Sequence, residues 1–174
     1  MQLSIRPWLA MAVLAAVVGC KSKTEVIQPE PEEQPPAPVQ PTVKPLDPRD
    51  WTDARNFDNP ESLLSKRVIY FDFDKSDIRP EFRDTLHAHA TYLGAHGTAR
   101  VTLEGHADER GSREYNLGLG ERRGNSVNGA VTAQGAARSQ LEVVSYGEER
   151  PVCRESEESC WWRNRRVEIV YTSR

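Results

Sequence analysis

The chain has 174 residues, with 23 Lys or Arg against 26 Asp or Glu and a formal net charge of −3. That length holds one modest domain plus extensions. No basic tract marks a nucleic-acid surface, so that class of partner is excluded.

Residues 1–19 read as a secretory signal. Arg6 supplies the positive start, and the apolar run over 8–18 is too short to span a bilayer. The run ends Val17-Val18-Gly19-Cys20. Small residues directly before a cysteine are the pattern of a bacterial lipoprotein signal, so cleavage before Cys20 and acylation of its thiol and amine are expected. An ordinary signal peptide with an incidental cysteine is the alternative. With Cys20 acylated, Cys153 and Cys160 remain as a pair in an oxidising compartment, and a disulfide closing that short loop is expected. A metal site there would lack a nearby histidine.

Residues 20–60 are expected to form a lipid-anchored linker. Eight of the twelve prolines lie between residues 29 and 48, mixed with Glu and Gln. Such a composition cannot bury enough apolar surface to fold. At ~3.1 Å per residue in extended polyproline II, roughly forty residues reach on the order of 100 Å, enough to meet a layer beyond the anchoring membrane.

The compact domain is expected over 61–174, after a transitional stretch with a turn or helix start at 58–61. The β-branched and aromatic run 67–71 predicts a buried strand. A polar loop over 72–77 follows, with Phe73 inside it. Pro80 suits a first helical position; Phe82, Leu86, Ala90 and Leu93 form the inner face, and Gly94 and Gly97 mark the end. Residues 100–106 predict a second strand and 112–134 a second helix, with Ser112 as N-cap. Gly118, Gly120, Gly124 and Gly129 each weaken that helix by about 1 kcal/mol against alanine. A third strand is predicted at 141–145, a short helix at 155–162 and an alternating last strand at 166–171. Right-handed crossovers then give an α/β (α+β) two-layer sandwich, β-α-β-α-β-(α)-β, with helices on one face of a small mixed sheet.

Residues 103–123 carry the chemistry. The strand breaks at Asp108-Glu109-Arg110-Gly111, where Gly111 permits a positive φ. Leu119, Arg123, Val127 and Val131 recur at spacing four and share the core-facing side of the helix. A guanidinium on that stripe needs a partner, and Asp108 is the nearest candidate. The two would close an internal ion pair or hold a ligand bearing both charges, such as an amino acid zwitterion.

Other polar sets have blander readings beside sharper ones. His106 and Asp108 could ligate a metal but lack an obvious third ligand. His87 and His89 point in different directions from a helix and read as surface or core-edge residues. Asp72, Asp74 and Asp77 lack the full calcium-loop pattern. Asn164-Arg165-Arg166 could form a phosphate or partner patch, or pair across strands with Glu104 or Glu142.

Several multi-residue words, in one order, resemble the C-terminal domain family of outer membrane protein A. They are Val68-Ile69-Tyr70-Phe71-Asp72-Phe73-Asp74-Lys75 with Asp77-Ile78, Glu104-Gly105-His106-Ala107-Asp108-Glu109-Arg110-Gly111, and Glu114-Tyr115-Asn116-Leu117. Leu119-Gly120-Glu121-Arg122-Arg123, Val144-Ser145-Tyr146-Gly147-Glu148-Glu149-Arg150-Pro151 and Asn164-Arg165-Arg166-Val167 complete the set. The lipoprotein signal points to the lipid-anchored members that serve the Tol-Pal system rather than to flagellar stator relatives, which carry a transmembrane helix. The resemblance implies a non-enzymatic domain, without cofactor or metal, that binds the diaminopimelate of peptidoglycan stem peptides. It implies Asp108 and Arg123 as a charged clamp, with Phe73, Asp74, Ala107 and Leu119 lining the same pocket. It also implies TolB and other Tol proteins as partners, an outer-membrane location facing the periplasm, and a role in division. The rival reading is a zinc-dependent peptidoglycan peptidase using His106 and Asp108; a third is a structural lipoprotein with no wall affinity. Gly124 departs from the alanine usual after the arginine, and Cys153 and Cys160 bracket a segment that lacks cysteines in many relatives.

Overall fold

The computed structural model describes residues 44–174, which fall in one compact unit. The expected signal, the acylated Cys20 and the proline-rich stretch up to residue 43 lie outside the described residues.

The elements follow in chain order as β1 (Val68–Tyr70), α1 (Arg83–Ala95), β2 (Arg100–His106), α2 (Arg113–Ala133), β3 (Leu141–Gly147), α3 (Glu158–Asn164) and β4 (Arg166–Ser173). The four strands form one sheet in the order β1-β4-β2-β3. β4 runs antiparallel to both β1 and β2, whereas β2 and β3 are parallel, as a strand–helix–strand crossover through α2 requires. The predicted two-layer α/β architecture is the observed one.

Alternation along the strands sorts their side chains. Ile69, Val101, Leu103, Val167 and Ile169 point inward and are buried with Leu86, Ala90 and Leu93 of α1 and Val127 and Val131 of α2. The opposite face carries Thr102, Glu104, Val144 and Glu168, all partly exposed. Pro80 opens a 3-10 turn, Pro80–Phe82, and the α-helix proper starts at Arg83. The last helix is displaced toward the C-terminus of its predicted position, to Glu158–Asn164.

Three expectations are corrected. The linker does not extend to residue 60. Phe57 is buried in the core with its ring 4.7 Å from that of Tyr92, and the buried Asn56 amide donates to the carbonyls of Asp47 and Asp50, both at 2.8 Å. One aromatic and one satisfied amide turn a polar stretch into part of the domain. His89 is a core residue: its ring nitrogens meet the Tyr171 hydroxyl at 3.0 Å and the Lys66 carbonyl at 3.1 Å. The helical glycines, finally, are not simply weak points. A Cβ on Gly120 would meet the Gly105 backbone, and one on Gly124 would lie 2.5 Å from Val143 Cγ1. The missing side chains let α2 sit close on β2 and β3.

Candidate functional site

The turn between β2 and α2 positions the acid of the expected pair. β2 shifts register between Gly105 and His106, and Gly111 turns the chain at φ 114. Ser112 then caps α2 by accepting from the Tyr115 N–H at 3.2 Å. Asp108 lies at the start of this turn, and Arg123 projects from α2 behind it. The loop after β1 closes the other side with Phe73 and with Asp74, whose φ is 55 and whose carboxylate accepts from the Tyr115 hydroxyl. Phe73, Asp74, Asp108, Leu119 and Arg123 line one cavity of about 190 Å³. Ala107 lines an adjoining cavity with Glu109, Pro151 and Asn164 instead. A larger cavity, about 530 Å³, lies beside β1 near Tyr70 and Phe82 and includes none of the candidate residues.

Asp108 and Arg123 do not form an ion pair. Arg123 donates from Nε to the Lys75 carbonyl at 2.9 Å, from Nη1 to the His106 carbonyl at 2.7 Å and from Nη2 to the Asp72 carbonyl at 3.1 Å. Its guanidinium stands 5.3 Å from the centre of the Phe71 ring, and the residue is 0% exposed. Backbone acceptors solvate the cation without cancelling its charge. Burial lowers its pKa to about 10, with the Asp108 charge opposing the fall, so it stays protonated at neutral pH. Of the five guanidinium N–H groups, three are spent on carbonyls and two remain.

The Asp108 carboxylate is already neutralised. Its Oδ1 accepts from the Arg110 backbone N and from Arg110 Nε, both at 3.1 Å, and its Oδ2 accepts from Arg110 Nη2 at 2.7 Å and Arg165 Nη1 at 3.3 Å. Burial pushes this carboxyl up, but the hydrogen bonds and charge of Arg110, with Arg165, outweigh it and hold the pKa below the usual range. Arg165 is fixed in turn by the Phe71 carbonyl at 3.1 Å and by Glu158 at 2.5 Å. The cross-strand pairing with Glu104 or Glu142, one of the two readings of Asn164-Arg165-Arg166, does not occur. Arg166 meets Glu168 at 2.6 Å on its own strand, because the register sets Glu168 directly opposite Glu104 and makes a cation useful there.

Residues 153–165 complete the surround. A disulfide joins Cys153 to Cys160, with Cα atoms 5.2 Å apart. The Asn164 amide oxygen accepts from the backbone N–H groups of Val152 and Cys153. Trp161 donates from its indole to Glu109 at 3.0 Å and lays its ring 4.1 Å from the Arg110 guanidinium; Phe73 lies 4.0 Å from the same group. Arg110, Glu158, Trp161 and Arg165 were not anticipated from the sequence. Arg110 had a signal only as part of the turn Asp108-Glu109-Arg110-Gly111, and Arg165 only as part of Asn164-Arg165-Arg166.

His106 is buried and neither ring nitrogen has a protein partner. Tyr146 stacks beside it at 5.5 Å. Burial, aided by the Arg166 charge, lowers its pKa to about 4. Among the described residues, the one group of three potential metal donors is Cys153, Glu155 and Cys160, and its sulfurs are joined to each other. The Asp108 oxygens that a metal at His106 would need are held by arginines.

Residues 70–165 match the model of the OmpA family. The chain is 53% identical over 108 residues to the peptidoglycan-associated lipoprotein of Pseudomonas putida, spanning 62% of this chain and 64% of that protein. It is 45% identical over 104 residues to the protein of the same name from Haemophilus influenzae, spanning 60% of this chain and 68% of the relative. The chain thus spans somewhat less than two thirds of the Pseudomonas protein. Among solved structures, the peptidoglycan-associated lipoprotein of Burkholderia pseudomallei superposes with a TM-score of 0.65 at 40% identity, covering 67% of this chain and 98% of that one. The C-terminal domain of Helicobacter pylori MotB shares the fold, with a TM-score of 0.57 at 18% identity over 62% of this chain and 84% of that one. A family match over more than half the chain, with 40–53% identity to these lipoproteins, shows that the chain belongs to the OmpA family.

Proposed function

We propose that this domain is a non-enzymatic wall ligand that holds the peptide stem of peptidoglycan through the free end of diaminopimelate. The observation that carries the reading is the uncompensated, buried cation of Arg123 beside the acid Asp108 in one small cavity. Diaminopimelate ends in a carbon bearing an ammonium and a carboxylate. The two remaining N–H groups of Arg123 suit a carboxylate, and Asp108 suits the ammonium. Phe73, Asp74 and Leu119 would form the walls, with Ala107 supporting the turn from behind. The names of the relatives support association with peptidoglycan.

The lipoprotein pattern at Cys20 supports an acyl anchor, and Lys21 rather than aspartate after it supports sorting to the outer membrane. The protein would then tether that membrane to the wall, with TolB and the Tol complex as partners during constriction. Replacing Cys20 by alanine should release it from membranes, since one remaining weak interaction anchors poorly where several acyl chains anchor stably. The direct test is co-sedimentation of the purified protein with sacculi. Retention that free diaminopimelate-containing muropeptide competes away is expected; no retention rejects the wall reading.

A further inference from the structure

We propose that Arg110 is the lid of this clamp: its guanidinium sits where the ligand's ammonium must go, and binding moves it from Asp108 to Glu158. The inference rests on the wall-ligand reading and adds a moving part to it.

The first observation is that the two charged groups at the back of the cavity are covered. Asp108 is 4% exposed and Arg123 0%. The four donors on the Asp108 carboxylate match the roughly four lone-pair directions that a carboxylate offers, and three of the four belong to Arg110. An incoming ammonium finds no free acceptor on Asp108.

The second observation separates the two arginines. Arg165 is held by three further anchors of different kinds: a core backbone carbonyl, Glu158 and burial of its side chain. Arg110 has 30% of its side chain exposed. It lies between the faces of Phe73 and Trp161, 4.0 and 4.1 Å from their ring centres. A flat cation between two rings can slide in its own plane without losing either face. Arg110 is the group free to leave.

The third observation is a second seat. Glu158 stands 3.6 Å from the same Arg110 Nη2 that now holds Asp108, and its side chain is 61% exposed. Asp108, Glu158, Arg110 and Arg165 form a neutral quartet. Arg123 is a further positive charge outside it. A zwitterion that leaves its ammonium on Asp108 and its carboxylate on Arg123 shifts Arg110 outward along the quartet and keeps every charge matched. The disulfide loop that supplies Trp161 and Glu158 is thereby part of the binding device.

The test compares the full mature chain with Arg110→Gln and Glu158→Gln variants, using a soluble diaminopimelate muropeptide in stopped-flow association and calorimetry. Arg110→Gln should associate at least fivefold faster, because the seat is already vacant. Glu158→Gln should bind at least threefold more weakly, because the displaced lid has lost its second seat. An Arg110→Gln protein that associates no faster than wild type overturns the lid. In wild type, the Nε–H resonance of Arg110 should shift on saturation while that of Arg165 stays in place; an unmoved Arg110 signal also overturns it, even where the variant does not fold. A wild-type chain that binds no muropeptide rejects the wall-ligand reading instead, so the two failures are distinguishable.

Discussion

The two halves of the pocket are built from different materials. On one side Arg123 is held by carbonyls of Asp72, Lys75 and His106, groups that cannot move without unravelling the loop after β1 or the end of β2. On the other side Asp108 is held chiefly by the side chains of Arg110 and Arg165, which can exchange partners. Backbone solvation keeps a buried cation in place and leaves its charge available to a ligand. Side-chain pairing cancels a charge and makes access to it conditional. The pocket thus presents a fixed cation and a guarded anion.

Substitution at Arg123 should separate the halves most sharply. Arg123→Ala removes the donor to three carbonyls at once, and breaking a buried polar cluster on one side costs about 3–5 kcal/mol. Urea denaturation should show that loss, and muropeptide binding should fall on the order of a hundredfold or more. Arg123→Lys should recover only part of both, since one ammonium cannot span three acceptors. Asp108→Asn should be milder in stability, by about 1–2 kcal/mol, because Arg110 and Arg165 retain Glu158. It should still weaken the muropeptide on the order of tenfold by removing the ammonium's counter-charge.

Acid should act on the frame behind the clamp. His89 and His106 both have pKa values lowered to about 4 from 6.5, by burial first. An unfolded chain takes up these protons as pH falls below about 6.5, whereas the folded chain resists until about 4. Stability is therefore full above 6.5 and declines between 6.5 and 4, by on the order of 3 kcal/mol per histidine. Asp108, whose pKa is depressed, adds a further loss at lower pH. Denaturation midpoints at pH 7, 5 and 4 check the slope. His106→Phe should flatten part of it, since neither ring nitrogen has a protein partner to lose.

Smaller effects are expected where the halves meet the rest of the fold. Reducing the Cys153–Cys160 bridge should cost ~2–3 kcal/mol by loop closure, readable as a lower thermal midpoint with reductant. Gly120→Ala should destabilise by about 1–3 kcal/mol, because its methyl meets the Gly105 backbone. Gly124→Ala should destabilise less than Gly120→Ala, because the gain in helix propensity partly offsets a 2.5 Å clash with a methyl of Val143, which must shift to admit the new Cβ.

Much of this frame is legible in the sequence. Residue type and periodicity together located all four strands and the two long helices, the Ser112 cap and the buried stripe Leu119, Arg123, Val127 and Val131. What solvates Arg123 was not legible, because backbone carbonyls carry no residue identity and a sequence displays only side chains as partners. The nearest acid was the natural guess, and it is taken by Arg110 two residues along. The partners of Arg165 were not legible for a related reason: it precedes β4 and meets Asp108 and Glu158 from other elements. The inner boundary of the linker was missed because Asn56 and Phe57 each earn burial through one specific partner rather than through a pattern.

The central claim is that Arg123 carries an unneutralised charge meant for the ligand's carboxylate. Calorimetry with two muropeptides, one with diaminopimelate and one with lysine at the same position, tests it most directly. Lysine keeps the ammonium and lacks that carboxylate, so the account predicts at least tenfold weaker binding of the lysine form to wild type, and a gap that narrows in Arg123→Lys. Equal affinity of wild type for the two would contradict it and leave Arg123 as a purely structural strut.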